Sequence, residues 1–255
     1  MGNHILKELK DGILMVKINR PEKKNALTLS MYEDLCVAFA ELNKNPDIRV
    51  LVLTGVEDSY TSGNDLMDFL QNPPLGPDAP VSLFLQALLD AKKPIIMAVN
   101  GLAVGVGTTM LLHADFVYAS EDALFSMPFV NLALVPEAGS SKILPDMIGH
   151  KRAAELLMLG DNFNVQKAKE CGIINNYFSK NHLMEKVREV ALKLAAKPPE
   201  ALRITKELMK ADSGSVAEAL AKEGKIFNER LSSPEAVEAM TAFMERRPAD
   251  FRKFK

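Results

Sequence analysis

Short apolar runs rich in β-branched residues alternate with helical patterns along the first half of the chain. Ile48 to Thr54 and Ile95 to Val99 are such runs, and each follows a segment with apolar residues at helical spacing, Leu35 to Leu42 and Val81 to Ala91. Runs of this length without alternating polar residues are typical of strands buried on both faces, as in parallel sheets. The alternation therefore predicts an α/β fold with a layered core.

The two ends of the chain carry different patterns. Ile5 to Leu9 and Ile13 to Ile18 flank Asp11-Gly12, which predicts an opening β-hairpin because this turn pair accepts positive φ. Ser30 and Glu33 form a capping-box pattern that predicts the start of the first helix. Helical patterns dominate after Gly139. The further predicted elements are helices over 104–113, 151–159, 165–171, 183–196, 201–209, 216–231 and 234–246, strands over 116–119 and 173–178, and a proline-rich surface loop over 72–80.

Composition and charge exclude several classes of function. The 255 residues are 47% hydrophobic, as in ordinary globular proteins. The net charge is -2, so the chain has no excess of basic residues and a nucleic-acid partner is not predicted. Two cysteines, Cys36 and Cys171, cannot build a disulfide framework or a four-ligand zinc site, and the four histidines lack ligand spacing. The charged N-terminal segment, the short apolar runs and a C-terminus without a Ser-Lys-Leu type address favour a cytoplasmic protein that binds no metal and no membrane.

Two glycine-containing segments each follow a predicted buried strand, Ser62 to Leu66 and Gly101 to Gly107. In open α/β layers, ligands bind at that edge of the sheet. Glycine allows close approach of the backbone, and the first N–H groups of a following helix have no internal acceptor, so the segments can donate to an oxyanion. Each segment alone is equally compatible with a tight turn or close helix packing. The second segment also lacks the spacing and the acidic residue of a dinucleotide-binding fingerprint.

Taken in order, the motifs of the chain resemble those of the enoyl-CoA hydratase/isomerase, or crotonase, family over nearly its whole length. The matching segments are Asn19-Arg20-Pro21 with Asn25-Ala26-Leu27, Ser62-Gly63-Asn64-Asp65-Leu66, Ala98-Val99-Asn100-Gly101 leading into Val104-Gly105-Val106-Gly107, Ala114-Asp115, and Pro136-Glu137-Ala138-Gly139. The resemblance implies a ββα spiral core over residues 1–195 that binds an acyl-CoA thioester and stabilises its enolate. It further implies a helical C-terminal trimerisation region over residues 196–255 and a homotrimer or hexamer.

The resemblance also implies roles for particular residues. The oxyanion donors fall on the backbone N–H groups of Asn64 and Val106, and CoA is the only cofactor-like group, as part of the substrate. The segment around Lys23, Lys24 and Ala26 would bind CoA, and Lys225 and Phe227 would reach the CoA of a neighbouring subunit. The full set of expected substrate-binding residues is Lys24, Ala26, Ser62, Gly63, Asp65, Leu66, Gly105, Phe129 and Leu132.

The carboxylates of the family distinguish its reactions. The hydratases of the family share two glutamates. Thr109 and Phe129 occupy these positions here, and neither side chain can activate water. Glu137 matches the base of the peroxisomal-type 3,2-enoyl-CoA isomerases. The resemblance therefore implies isomerisation of 3-enoyl-CoA to trans-2-enoyl-CoA, with Glu137 moving the proton from C2 to C4. A water-poor pocket lined by Phe69, Phe129, Leu132 and Leu134 is expected to raise the pKa of this base.

Several alternatives stay open at this point. From the residues alone, the more common role for Glu137 is that of a carboxylate that stabilises the N-terminus of the helix starting near Ser140. Residual hydration, another lyase or hydrolase activity, or a silent acyl-CoA binding module are the other functions compatible with the chain. Asp65 is expected to cap the next helix, Asp115 to order a loop, His113 to pack, and the hydroxyls of Ser140 and Ser141 to serve as caps.

Overall fold

A computed structural model describes residues 4–73, 76–210 and 233–254 of the chain. The side chains of residues 243 and 244 are likewise outside the description. The predicted helix over 216–231, the expected CoA contacts Lys225 and Phe227, and part of the predicted loop over 72–80 lie outside the described residues. Among the described residues, no helix is long and apolar enough to cross a bilayer.

The larger sheet is formed by the buried apolar runs of the sequence. Its six described strands, in spatial order, are β1 (Ile5–Lys10), β2 (Ile13–Ile18), β3 (Val50–Gly55), β5 (Ile95–Val99), β7 (Phe116–Ser120) and β10 (Asn176–Phe178). Within this sheet β1 and β2 pair antiparallel, as the predicted hairpin, with positive φ at Asp11 and Gly12. The other described pairs are parallel.

A second, smaller sheet was not predicted from the sequence. Its described strands β4 (Ser59–Thr61), β6 (Leu102–Val104), β8 (Leu124–Ser126) and β9 (Phe163–Asn164) have the order β4-β6-β8-β9. The first three are parallel, and β9 joins antiparallel. Each strand has two or three residues, too few for a period of two to show in the sequence.

Sharp turns after β3 and β5 send the chain from the first sheet to the second. A Cβ at Gly55 would lie 2.0 Å from the carbonyl oxygen of Ser59, and one at Gly101 would lie 2.0 Å from that of Asp58. The Asn100 side chain ties these turns together, accepting from Gly55 N at 3.0 Å and donating to Glu57 O at 2.9 Å. The predicted βα repeat is therefore a ββα repeat, in agreement with the expected spiral.

The described helices surround the two sheets. They are α1 (Leu29–Lys44), α2 (Leu66–Gln71), α3 (Pro80–Leu89), α4 (Val106–Thr109), α5 (Ser140–Ile148), α6 (His150–Ala154), α7 (Val165–Glu170), α8 (Lys180–Ala195), α9 (Pro199–Lys210) and α10 (Pro234–Met244). A 3-10 turn over Met110–His113 follows α4, and a π-helical turn over Glu155–Leu159 follows α6. The predicted helix over 104–113 was thus wrong in part, because Val104 ends a strand and the helix begins at Val106.

The prediction that Ser30 caps the first helix was wrong. The N-cap of α1 is Thr28, whose hydroxyl accepts from Met31 N at 3.4 Å. Ser30 already lies inside α1, where its hydroxyl contacts that of Thr28 at 3.0 Å. Only Ser30 fits the capping-box spacing, but Thr28 has the extended backbone of an N-cap, with φ of −91° and ψ of 166°.

Apolar side chains are buried on both faces of the larger sheet. One face packs against α1 and α3 through Val16, Leu51, Leu53 and Met97, together with aromatic residues of those helices. The other face packs against α8, where Val50, Val52, Ile96 and Ala98 meet Leu183, Val187 and Ala191. Burial on both faces explains why β3 and β5 read as continuous apolar runs.

The described part of the region after residue 195 is anchored to the core by charged groups. Lys206 on α9 donates to Asp115 Oδ2 at 2.6 Å and to the carbonyl oxygen of Lys93 at 2.8 Å. Asp115 also accepts a hydrogen bond from Ile95 N at 2.8 Å. This contact orders the start of β5, which agrees with the prediction that Asp115 orders a loop. Arg49 reaches the carbonyl oxygens of Lys197 at 2.7 Å and Phe254 at 3.2 Å. The division at residue 195 remains a prediction.

Candidate functional site

The first glycine segment leaves the end of β4 and exposes one backbone amide. Leu27 pairs with Asn64 in an isolated parallel bridge, in which Leu27 N donates to Gly63 O and Asp65 N donates to Leu27 O, both at 2.8 Å. Because successive amides of an extended segment point to opposite sides, the Asn64 N–H faces away from Leu27. No hydrogen bond between described residues uses this N–H. It is therefore available to an external acceptor.

The second glycine segment exposes a matching amide at the start of α4. Gly105 has φ of +57° and precedes the first helical residue, Val106. Gly105 N donates to Ser126 O at 2.9 Å, while Thr108 N and Thr109 N donate to Gly105 O. The N–H of Val106 belongs to the first turn, where helical amides lack internal acceptors, and it makes no hydrogen bond within the described chain.

Pairing of β4 with β6 brings the two segments together. Ser59 aligns with Leu102 and Thr61 with Ala103, so both segments leave the same edge of the second sheet. A Cβ at Gly63, which has φ of +91°, would lie 2.8 Å from the carbonyl oxygen of Val104. The Asn64 and Val106 segments are therefore neighbours in the structure, and neither N–H is used by a hydrogen bond between described residues.

Glu137 lies against the helical segment that begins at Val106. The hydroxyl of Thr109, one turn after Val106, donates a hydrogen bond to Glu137 Oε1. The backbone around the glutamate is also fixed, because Ser140 donates to Glu137 O through its N–H at 3.0 Å and its hydroxyl at 2.7 Å. Ala138 and Gly139 both have positive φ, which turns the chain directly into α5. Glu137 is thus a carboxylate held beside the Val106 segment, and its role in the site remains a prediction; the Ser140 hydroxyl is a turn group as expected.

Two opposing effects set the protonation of Glu137. Burial raises the pKa of its carboxyl above the ordinary glutamate value, and the Thr109 hydrogen bond lowers it in part. A carboxylate partly removed from water is a stronger base than an exposed one. Glu137 is therefore a stronger base than an exposed glutamate.

His113 supports the same loop from the end of the Met110–His113 turn. Its Nε2 lies 2.7 Å from the carbonyl oxygen of Ala138, which requires the proton on Nε2. Burial lowers the pKa of His113, so the neutral ring donates this hydrogen bond at neutral pH. The prediction that His113 packs is confirmed, and its packing holds the residue next to Glu137.

Tyr32 is a site residue that the sequence did not reveal. Its side chain on α1 is fully buried, and its hydroxyl donates a short hydrogen bond to Asn64 Oδ1. Burial and then the negative charge of Glu137 raise the Tyr32 pKa well above its ordinary value, so the phenol stays protonated near that carboxylate. In the sequence Tyr32 is one apolar position of an amphipathic helix, and nothing distinguishes it from a core residue.

The expected apolar lining of the site is found only in part. Phe129 is 8% exposed, whereas Leu132 and Leu134 are 49% and 55% exposed. Phe69 is half-buried against the core. The prediction that Leu132 and Leu134 form a water-poor wall is wrong for this single chain, because both lie in a surface turn and loop after Phe129.

The expected CoA-binding residues gather on one side of the first glycine segment. Ser62 N donates to Lys24 O at 3.0 Å, and Leu66, 51% exposed, begins α2 beside them. Ala26 is half-buried, and its carbonyl oxygen accepts from Arg20 at 3.1 Å. Lys24 is exposed, and no hydrogen bond between described residues uses its ammonium group. The structure thus brings these residues together.

Asp65 has a structural role, in contrast to its place among the substrate-binding residues. Its carboxylate accepts from Met67 N and Asp68 N at 3.0 and 3.1 Å, which caps α2 as predicted, and it pairs with Arg20 at 2.7 Å. The Arg20 hydrogen bond, followed by that from Asp68 N, lowers the pKa of Asp65. Both oxygens have partners, so this side chain does not serve as a proton acceptor.

A cavity between the larger sheet and α8 lies away from these groups. It measures about 560 Å³ and separates β1 and β2 from α8, with Met15, Val52 and Met184 in its lining. These residues lie on the α8 side of the larger sheet, whereas Val106 packs on the other side. The lining of this cavity includes none of Asn64, Val106 and Glu137, so the candidate site is a different place on the chain. Among the described residues, no group of three or more metal-ligating side chains occurs.

Comparison with known proteins agrees with this geometry. The enoyl-CoA hydratase/isomerase family model matches residues 8–254. The chain is 34% identical to rat (Rattus norvegicus) enoyl-CoA delta isomerase 2 over 251 residues, which is 96% of this chain and 64% of the rat protein. It is also 31% identical to mitochondrial enoyl-CoA hydratase of Pongo abelii over 242 residues, 93% of this chain and 83% of that protein. The chain therefore spans less than two thirds of the length of the rat relative.

A solved structure extends the similarity to the whole described fold. A candidate enoyl-CoA hydratase/carnithine racemase from Magnetospirillum magneticum AMB-1 superimposes with a TM-score of 0.96 at 41% sequence identity. The match covers 99% of this chain and 100% of that chain. The expected α/β spiral fold is thereby confirmed. The family match, the shared fold and the paired glycine segments place this chain in the enoyl-CoA hydratase/isomerase family.

Proposed function

We propose that this chain shifts the double bond of a 3-enoyl-CoA to give trans-2-enoyl-CoA, with Glu137 as the single base. The observation that supports the proposal most strongly is the position of Glu137. It is a half-buried carboxylate with a raised pKa, hydrogen-bonded to the same helical segment whose first amide is free. A base next to an oxyanion site is the arrangement that proton abstraction beside a thioester needs.

In this mechanism Glu137 takes a proton from C2 of the bound 3-enoyl-CoA. The electrons of the C2–H bond move into a dienolate whose oxygen accepts from the Asn64 and Val106 amides. The protonated Glu137 then delivers the same proton to C4, and the double bond comes to lie between C2 and C3. One oxyanion donor typically lowers such a barrier by about 3 kcal/mol.

The residues beside Glu137 favour isomerisation over hydration. Syn addition of water needs one group that accepts a proton and another that donates one. The two glutamates that hydratases share are replaced here by Thr109 and Phe129, which carry no carboxylate. Thr109 is instead a hydrogen-bond donor to Glu137. A single carboxylate is sufficient for a proton shift and insufficient for this hydration mechanism.

We further propose that CoA binds beside Lys24, Ala26, Ser62 and Leu66 and that the reaction needs no separate cofactor. A homotrimer or hexamer in the cytoplasm, acting in fatty-acid β-oxidation, is the proposed setting. The half-exposed Leu132 and Leu134 support an assembly, because a neighbouring subunit could cover them and exclude water from the entrance of the site. Sedimentation of the purified chain measures the assembly directly.

The decisive experiment compares the wild type with Glu137→Gln, which keeps the shape and removes the base. We expect kcat for 3-enoyl-CoA to fall at least ~100-fold, because a general base typically contributes 10² or more. Acyl-CoA affinity, measured by calorimetry, should be retained. Glu185→Gln on the exposed surface of α8 is the matched control and should keep full activity.

Product analysis on three substrates separates the alternatives. Turnover of 3-enoyl-CoA alone supports the proposal, whereas water addition to 2-enoyl-CoA identifies a hydratase. Hydrolysis of a saturated acyl-CoA identifies a thioesterase. Binding without turnover of any substrate, or a fully active Glu137→Gln variant, would show that the isomerase mechanism is wrong.

A further inference from the structure

The two threonines at the start of the helical segment after Val106 use their hydroxyls differently. Thr108 and Thr109 are both fully buried. The hydroxyl of Thr108 donates to the backbone carbonyl of Ala103 at 2.7 Å, which satisfies a group of its own segment. The hydroxyl of Thr109 instead donates to the side chain of Glu137, which is 28 residues away in the chain. The Thr109 hydroxyl therefore forms its hydrogen bond with the Glu137 carboxylate and not with a backbone group of its own segment.

The Thr109 hydrogen bond fixes one oxygen of the carboxylate. Thr109 has a single hydroxyl proton and donates it to Oε1. No hydrogen bond between described residues uses Oε2 of Glu137. The two oxygens are thus distinguishable, with Oε1 held in place and Oε2 open to accept a proton.

The same helical segment also fixes the glutamate relative to the oxyanion donors. Val106, Thr109 and His113 follow one another along the segment, and His113 holds the carbonyl oxygen of Ala138 at 2.7 Å. If the segment moves, the Val106 amide therefore moves together with Thr109 and His113, the two residues that hold the Glu137 loop. A base and an oxyanion donor held by one rigid element keep the geometry that proton transfer requires.

We propose that Thr109 is a positioning residue that holds Glu137 Oε1, so that Oε2 faces the substrate carbons in the ionised state. This proposal deepens the function given above and, as far as catalysis is concerned, rests on it. The hydroxyl favours the carboxylate because a hydrogen bond to the charged form stabilises it. It thereby opposes the effect of burial on the pKa of Glu137.

The test uses variants of the full-length chain that separate the hydroxyl from the packing. Thr109→Val removes the hydroxyl, Thr109→Ser keeps it, and Thr108→Val removes a buried hydroxyl that does not contact Glu137. Two quantities are measured: the pH dependence of kcat and KM for 3-enoyl-CoA, and the titration of the Glu137 carboxyl. The titration is followed by NMR after ¹³C labelling of glutamate carboxyl groups, with Glu137→Gln giving the assignment.

We expect Thr109→Val to reduce kcat roughly 10-fold with little change in KM, the size typical of a lost hydrogen bond to a charged group. The acid limb of its rate profile and the Glu137 titration should both move to higher pH. Thr109→Ser should restore both, and Thr108→Val should leave both where they are in the wild type. If Thr109→Val does not fold, Thr109→Ala provides the same comparison.

The outcomes separate this inference from the proposed function. An unchanged Glu137 titration in Thr109→Val would overturn the inference, whatever the activity of the wild type. A titration that moves to higher pH in a chain without isomerase activity would support the contact and reject the isomerase function. A rate profile that moves in Thr108→Val as far as in Thr109→Val would also overturn the inference, because it would show a general loss of packing.

Discussion

Substitution of Gly63 by alanine tests whether close contact between the two glycine segments maintains the oxyanion site. An alanine Cβ at this position would lie 2.8 Å from the carbonyl oxygen of Val104, and φ there is +91°. A backbone held in such a region costs about 1–3 kcal/mol for a residue with a Cβ. Overpacking against a neighbouring backbone costs about 1–3 kcal/mol more. The free energy of unfolding should therefore fall by roughly 2–6 kcal/mol.

The catalytic effect of Gly63→Ala follows from relief of this contact. Either segment must move by several tenths of an ångström, which shifts the Asn64 amide relative to that of Val106. Loss of one oxyanion donor typically reduces kcat about 10²-fold, so we expect a fall of that size in 3-enoyl-CoA isomerisation. Asn64→Ala, which leaves the backbone N–H in place, should be less affected.

Gly105→Ala is the matched comparison. Gly105 also has positive φ, +57°, but a Cβ there would meet no atom within 4 Å. It should show the backbone strain alone, about 1–3 kcal/mol in stability, and a smaller loss of kcat. Steady-state kinetics and denaturant unfolding of the three variants measure both quantities. Equal kcat losses in Gly63→Ala and Gly105→Ala would refute the contact argument.

Two further predictions concern stability. Burial lowers the pKa of Lys206 to about 8, from an ordinary lysine value of 10.5. Between these pH values the unfolded chain binds more protons than the folded chain, so the contribution of Lys206 to stability should rise with pH from about 8 to 10.5. Denaturant unfolding across this range should show the rise in the wild type and not in Lys206→Met; parallel curves would contradict it. Thr28→Ala should lower the stability by about 1 kcal/mol through loss of the α1 cap, and Ser30→Ala by less. A larger effect of Ser30→Ala in thermal unfolding would restore Ser30 as the cap.

The main elements of the fold were predictable because their sequence patterns are local. The hairpin around Asp11-Gly12, the buried strands β3 and β5, and most helix positions follow from turn residues and apolar periodicity. The second sheet was not predictable, since strands such as β4 (Ser59–Thr61) are too short to show a period. These strands exist because Gly55 and Gly101 let the chain turn back within van der Waals distance of itself.

The candidate site was predicted in outline from its glycine segments and Glu137. Pairing of β4 with β6 confirms the proximity of the two segments, whereas the half-exposed Leu132 and Leu134 correct the expected dry wall. Asp65 also proved to be a helix cap paired with Arg20. A side chain that fits two roles in the sequence is assigned only when its partners are known.

Residue type and local spacing dictate where the backbone can bend and where apolar surface must be buried. Contacts between side chains that are distant in the chain depend on how the elements pack. Tyr32 reaches Asn64 across 32 residues, and Thr109 reaches Glu137 across 28. Neither contact leaves a local pattern, because each arises when separate elements pack together. The protonation of Glu137 depends on such packing, since burial raises its pKa and Thr109 lowers it.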